Sequence, residues 1–341
     1  VTLVVAGALA CGASQAGAQT RIVRDRLVLR DRPVVVEYQG RDREQQTERF
    51  TRTLKIGANG EVAIGNISGD ISVVRGSGNE ATLEVVKTAR SRSVEDAKEL
   101  LGLVQVDISE RGSRVEIKTR YPGDEYRRNN RRNINVSVSF MLTAPAGTRI
   151  SAHSISGDIA AKDIKGDVAL ETVSGSVRIS NAGRVAAAKS ISGNVEITDT
   201  EIEGHLEASS VSGSVLLRNV KSRSLEAGAV SGNVVVQDVA CDRVEAQTVS
   251  GDVQFAGTLL RSGRYELSSH SGGVQVAVAG DTGFEVEATS FSGSVRSEIT
   301  LNQQGTGRYG RRQQTLRGIY GDGSAILDLT TFSGNIVITK R

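Results

Sequence analysis

A short apolar pattern recurs along this chain at intervals too long for a helix and too regular for chance. Ser-Gly, then Asp, Asn, Ser or Gly, then Val or Ile, occurs ten times. The glycines are Gly69, Gly157, Gly175, Gly193, Gly213, Gly232, Gly251, Gly272, Gly293 and Gly334. From Gly157 to Gly293, seven intervals span 136 residues, about 19 per repeat. Gly293 to Gly334 is 41 residues, about two periods with one degenerate turn, and Gly69 stands 88 residues upstream of the array.

Numbering each copy from its glycine exposes the columns. Position +2 is always Val or Ile, from Ile71 to Ile336, and +4 is apolar in nine of ten copies, Ser297 being the exception. Positions −7 and −5 are apolar throughout, with Ala frequent at −5. Position −3 is Ser or Thr in eight copies, and −2 is apolar in nine, His270 being the tenth. Side chains alternate faces along a strand. Positions −7, −5 and −3 therefore share one parity, and −2, +2 and +4 share the other. Both sets are apolar, so both are expected to point inward, with the parity switching between −3 and −2 at a bend or bulge. The hydroxyl at −3 is expected to satisfy backbone groups at that bend.

Nothing in the array has helical period. One coil of about 19 residues cannot bury its own apolar stripe against an ordering entropy of roughly 1–2 kcal/mol per residue. Stacked coils can, through backbone hydrogen bonds at ~4.8 Å and ladders of like side chains. The predicted fold is all-β: a single-stranded β-solenoid over 147–341, with a loop insertion at 300–324. Weak half-repeats such as Gly166-Asp167-Val168 predict a second side to each coil.

Residues 48–146 read as a small α+β N-terminal cap. Ser93 to Val104 carries Val94, Ala97, Leu101 and Val104 on one helical stripe, with Ser93 as N-cap. Leu103 to Thr119 alternates around Glu110-Arg111-Gly112-Ser113, a hairpin pattern, and Ile134 to Leu142 alternates cleanly. Such a cap covers an otherwise open sheet edge. Residues 19–47, rich in Arg and Asp, carry no assigned structure. Residues 1–18 read as a signal peptide: VTLVVAGALA is an apolar core, and Ala16-Gly17-Ala18 sets cleavage between Ala18 and Gln19. Lipid modification of Cys11 is the other processing option. The absence of an initiator Met places the start upstream.

Composition narrows the classes. Cleavage leaves Cys241 as the one cysteine, too few for a disulfide scaffold. Lys+Arg exceeds Asp+Glu only by 42 to 39, a balance that argues against nucleic acid as partner. No apolar run of about 20 residues follows the first dozen, so no transmembrane segment is expected in the mature chain. Trp is absent and aromatics are 4%, which leaves carbohydrate platforms poorly supplied.

The ordered set NISGDISV (66–73), the helix at 93–104, TRYPGD (119–124), TAPAGT (143–148), the HSISGDI and TVSGSV repeats and TTFSGNIVI (330–338) resembles a bacterial family of candidate adhesins of unknown function. It looks related to the toastrack group of envelope β-helix domains, across about residues 48–341. The resemblance implies a right-handed parallel β-helix, export to the periplasm or cell surface, and a non-enzymatic binding or structural role, with no catalytic residues to carry over. The long Arg-rich insert near 302–317 departs from it.

Candidate chemistry is sparse. Gly305 to Gly310 spells G-x-G-x-x-G, but no amphipathic helix follows, so no dinucleotide cofactor is expected. Asp70, Asp158 and Asp252 at +1 would offer one carboxylate per coil, too few for calcium. His153, His205 and His270 have no metal-ligand spacing, and His270 reads as a hydrogen-bonded core or bend residue. A polysaccharide-processing β-helix enzyme is the rival class, but no outward acid cluster shows in the sequence. The partner candidates are two Arg-rich segments. Arg120, Arg127, Arg128, Arg131 and Arg132 surround Tyr121 and Tyr126; Arg308, Tyr309, Arg311, Arg312 and Arg317 lie in the insertion. The second is expected to be a loop outside the core that contacts envelope polysaccharide, lipid headgroups or an envelope protein.

Overall fold

The repeat glycines stack. In the computed structural model, which describes residues 44–123, 134–307 and 314–341 (303–307 as backbone only), each Ser-Gly glycine lies against the next. A Cβ on Gly175 would fall 2.1 Å from the Gly157 carbonyl oxygen, and the same clash recurs at each step of the column. Only glycine lets successive coils approach this closely. The column runs Gly69, Gly157, Gly175, Gly193, Gly213, Gly232, Gly251, Gly272, Gly334, Gly293.

Each coil, or rung, is named here by its glycine and contributes two strands. The Gly175 rung has Asp167–Ser174 before the glycine and Val177–Ser180 after it. Both pair in parallel with the rungs on either side. The +2 column is in register, Val215 opposite Val234 and Val234 opposite Val253, and all three are fully buried. Positions −7, −5 and +4 complete the core, so the fold is a parallel β-solenoid with a narrow apolar interior. One departure occurs at Ala186 (−7), which is exposed: the register shifts there and Val185 takes the inward place opposite Val168.

Three polar ladders explain the sequence around the bend. The −3 hydroxyl donates to the glycine carbonyl of the neighbouring rung, as Thr172 to Gly157 (3.2 Å), Ser210 to Gly193 (2.8 Å) and Thr248 to Gly232 (2.8 Å). Ser154 breaks the series. Its expected acceptor, the Gly69 carbonyl, already takes a bond from Asn66 Nδ2, and Ser154 Oγ is buried without a protein partner. At +1, the side-chain oxygens of Asp70, Asp158, Asn194, Ser214, Asn233, Asp252 and Asn335 accept the amide of the next rung, as from Ser176 to Asp158 and from Asp252 to Asn233. At +6, Asp163, Asn181, Asp199, Asn219 and Asp238 all hold left-handed backbone near φ +51 to +60. There Asn amides donate to Asp carboxylates, as Asn219 to Asp199 (2.7 Å), so the alternation avoids like charges on adjacent rungs.

The −2 column contradicts the expectation from the pattern. Ile155, Val173, Ile191, Val211, Val230 and Val249 are all exposed, as is His270. The parity switch is not between −3 and −2. Positions −2 and −1 both face outward, and the chain returns inward only at +2.

Gly69 is not apart from the array. Its strands Glu61–Ser68 and Ile71–Arg75 pair in parallel with Arg149–Ser156 and Ile159–Lys162, making it the first rung. Beyond it, Arg114–Arg120 and Val136–Ala144 extend the two sides, and Gln105–Arg111, Ala81–Ser91 and Glu44–Leu54 continue them antiparallel. The helix Val94–Leu103 lies against the last two of these strands. Ser93 Oγ caps it by accepting the Asp96 amide, and Ala97, Leu100 and Leu101 are buried.

The other end is also closed by antiparallel strands, and here the insertion differs from its reading as a loop. Asn302–Gly307 and Gln314–Tyr320 pair with each other, and the second pairs with Phe284–Ser290 of the terminal rung. Leu316 is buried, so this segment does contribute to the core. The chain then turns back. Ala325–Ser333 and Ile336–Lys340 insert between the Gly272 and Gly293 rungs, so the 41-residue interval holds no degenerate coil.

Candidate binding face

Outward positions −6, −4 and −2 of the longer strand form three parallel columns on one flat face. The −2 column is a largely apolar ridge exposed over nine rungs, from Ile155 to Phe291, about 38 Å at ~4.8 Å per rung, with Ile67 of the first rung only partly exposed. Its β-branched members suit strand backbone whichever way they face. They are roughly half exposed: Ile155 53%, Val230 48%, Phe332 47%. At one end the ridge becomes aromatic. His270 stacks on Phe332 (centroids 4.9 Å, 9°), and Phe332 stacks on Phe291 (4.7 Å, 7°). His270 is therefore a surface stacking residue, not the core or bend histidine expected. On soluble proteins, contiguous apolar strips of this extent are uncommon away from contact sites.

Beside the ridge lies a trough of about 630 Å³. One wall is Val211, Val230, Val249, His270 and Phe332. The floor is the −4 column, Ser209, Gly228, Gln247, Ser268 and Thr330, and the far wall carries Glu207 and Glu226 at −6. The −6 column continues acidic through Glu245, Glu266, Asp328 and Glu287. Lys189 pairs with Glu207 (2.6 Å), and Arg243 and Arg264 reach Glu266 (3.5 and 2.7 Å). Asp328 sits between Glu266 and Glu287 on adjacent rungs. Partial burial, then repulsion from Glu287 and Glu266, pushes its carboxyl above the ordinary range.

The sequence candidates fall as follows. Arg317 lies on the strand Gln314–Tyr320 and pairs with Glu287. Arg308, Tyr309, Arg311 and Arg312 lie outside the described residues, as do Ala18, Gln19, Cys11, Tyr126 and Arg127 to Arg132. Arg120 pairs with Asp107, and half-buried Tyr121 donates to the Val136 carbonyl (2.8 Å). Burial raises the Tyr121 hydroxyl to about 12. His153 faces Glu171 (3.3 Å) and His205 faces Glu226 (3.9 Å) on separate rungs. Cys241 is buried against Ser222, and burial raises its thiol pKa. Asp70, Asp158 and Asp252 spend their oxygens on backbone amides of the next rung. Among the described residues, no group of three or more His, Cys, Asp or Glu is placed to hold a metal. No described helix is long and apolar enough to cross a membrane.

The model of the Toastrack DUF4097 family matches residues 36–339, nearly the whole chain. The chain belongs to that family. No curated protein matches this Toastrack sequence. Among solved structures, it is similar to a "putative adhesin" from Bacteroides fragilis NCTC 9343, at 12% identity over 86% of this chain and 97% of that one, with a TM-score of 0.38. It is also similar to a "putative lipid binding protein" from Parabacteroides distasonis ATCC 8503, at 13% identity over 84% and 96% of the two chains, with a TM-score of 0.44. The ridge itself was missed in the sequence because its residue types match those of the core. The signal that could have found it was His270, a polar ring in a column otherwise of Val, Ile and Phe.

Proposed function

We propose that this Toastrack protein is an exported, non-enzymatic binding module of the bacterial cell envelope that docks through the −2 ridge. The ridge carries the proposal: eight apolar side chains stand about half exposed in one column with His270, and strand preference for β-branched residues does not account for the stacked His270, Phe332 and Phe291 at its end. A parallel solenoid supports such use, because stacking holds the ridge rigid and little order is lost on binding. The residues Arg308, Tyr309, Arg311 and Arg312, flanked by Arg317, supply a second contact, to an anionic envelope component. That contact weakens with salt, since exposed charges are screened within about 8–10 Å.

One observation favours the rival enzyme. Asp328, with its raised pKa, lies between two carboxylates, the setting of an acid catalyst. Two others weigh against it. Arg243 and Arg264 pair with Glu266, and Arg317 pairs with Glu287. The aromatic rings stack on each other along the solenoid axis, so they offer edges, and not faces, to a sugar.

The test is co-sedimentation of the purified protein with isolated envelope. The proposal expects saturable binding, lost in Val211→Ser/Val230→Ser/Val249→Ser at unchanged melting temperature, and no release of reducing ends from envelope polysaccharide. Binding unaffected by the triple variant would overturn the ridge's role, and reducing ends lost on Asp328→Asn would establish the enzyme. Mass spectrometry of protein from its native envelope should find Gln19 first; an acylated Cys11 would replace free export with a lipid anchor.

A further inference from the structure

Resting on the ridge as a contact surface, we infer that the trough beside it accepts an amphipathic basic helix of a partner protein. Three features point to that occupant. The first is charge. The charged side chains lining the trough are Glu207 and Glu226, with no Lys or Arg among the lining residues, so an occupant is drawn in by positive charge. Lys189 partly neutralises Glu207, and His205 approaches Glu226 only to 3.9 Å. The same carboxylates disfavour an anionic membrane surface at this place.

The second feature is width. From the −6 column to the −2 column is four strand positions, about 13 Å between backbones at ~3.3 Å each, so a helix seats by interleaving its side chains with the two walls. A helix with its side chains is about 10–12 Å across. The third is the floor. Ser209 and Gly228, side by side in the −4 column with Gln247 beyond them, leave room for a helix backbone to come close while its apolar stripe meets Val211, Val230 and Val249. Along the axis, the wall from Val211 to Phe332 spans five rungs, about 19 Å at ~4.8 Å per rung, which is about 13 residues of helix at ~1.5 Å each. The helical pitch of ~5.4 Å lies close to the rung spacing, so successive turns can seat against successive rungs. A second copy of this chain is the poorer occupant. Laid ridge on ridge in antiparallel fashion it would oppose one acidic column to the other.

The test uses a fluorescein-labelled 18-residue helical peptide with Leu at i, i+3, i+4 and i+7 positions and Lys along one flank. The comparison peptide has Glu in place of each Lys. Anisotropy titration is expected to show the Lys peptide binding at least tenfold tighter than the Glu peptide, with affinity falling as salt rises. Glu207→Gln/Glu226→Gln should lose about tenfold for the Lys peptide alone. Gly228→Tyr should abolish binding. A Cβ at Gly228 meets only Gln247 Cγ at 4.0 Å, so this variant should melt at or above the wild-type temperature. Equal binding of the two peptides, or undiminished binding to Gly228→Tyr, would overturn the inference. So would a dimer in analytical ultracentrifugation that Gly228→Tyr dissociates. Envelope co-sedimentation of the same variant separates the two proposals. If Gly228→Tyr still binds envelope while the ridge triple variant does not, the ridge reading stands and the trough inference falls.

Discussion

Two columns of this solenoid are nearly identical in composition and opposite in fate. The +2 column is Val or Ile in every rung and is fully buried from Ile159 to Val274. The −2 column is Val, Ile, Phe or His and stands about half in solvent along the same rungs. They stand four positions apart, and between them lie only Ser, Gly and one small residue, polar in every rung except at Gly273. Whether an apolar column builds the core or a contact surface is thus decided by the path of the chain through Ser-Gly, not by hydrophobicity. A column that serves the fold is held by its neighbours above and below. A column that faces solvent needs a different reason to be apolar, and binding supplies one.

Substitution separates the columns most sharply. Val234→Asp places an unpaired charge in the core and should cost several kcal/mol, enough to unfold the array in denaturant titrations. Val230→Asp, four residues away on the ridge, should cost under about 1 kcal/mol and leave the circular dichroism spectrum intact. Similar losses for both would dissolve the distinction.

Glycine gives the next contrast. Gly175→Ala drives a methyl into the Gly157 carbonyl and should destabilise by about 1–3 kcal/mol. Gly228→Ala, on the outward face, should be neutral or stabilise by up to about 1 kcal/mol, since glycine weakens a strand. Melting curves of the two should move in opposite directions. A smaller effect belongs to the hydroxyl ladder. Thr248→Val removes the donor to the part-buried Gly232 carbonyl and should cost about 1 kcal/mol. Ser268→Ala, in the outward −4 column, should stay within about 0.5 kcal/mol.

The smallest contrast is in pH dependence. The Ser176 amide, then Arg178, hold the Asp158 carboxyl below its ordinary range. It adds stability above the unfolded pKa of about 3.9, and that stability is lost as pH falls through the lower folded value. Asp158→Asn should therefore flatten the acid limb of the stability profile. Asp328 runs the other way. Its folded pKa is raised, so ionisation costs stability as pH rises from the unfolded value through the folded one. Asp328→Asn should gain a few tenths of a kcal/mol at neutral pH and nothing at pH 3. Equal acid limbs for wild type and Asp158→Asn would remove the +1 ladder from the account.

Spacing and column chemistry made most of the fold legible. Ten Ser-Gly copies with Val or Ile at +2 leave few alternatives to stacked coils, and Ser93 with its apolar stripe marks one helix. The hydroxyls at −3 were legible too, since a small donor beside a bend has few other uses. The facing of −2 was not legible. Alternation fixes parity only while the strand continues, and the Ser-Gly bend takes up an odd number of positions that no pattern reveals. The order of rungs was equally hidden, because Gly334 carries the same motif wherever it stacks. The closing hairpin was obscured by its Gly, Gln and Arg content, in which Leu301, Leu316 and Ile319 are too widely spaced to advertise strands. Of the binding face, only His270 stands out in the sequence, and the Val, Ile and Phe of its column carry the same pattern as core.

Thiol accessibility reads the facing of the two columns position by position. In a Cys11→Ser background the remaining cysteine, Cys241, is buried, so the wild-type fold should label slowly with a maleimide. Val230→Cys should add one thiol that labels as fast in native buffer as in denaturant. Val234→Cys should add one that is protected until the chain unfolds. A protected thiol at 230, or a freely reactive one at 234 in a folded protein, would contradict the division of the two columns on which the binding face rests.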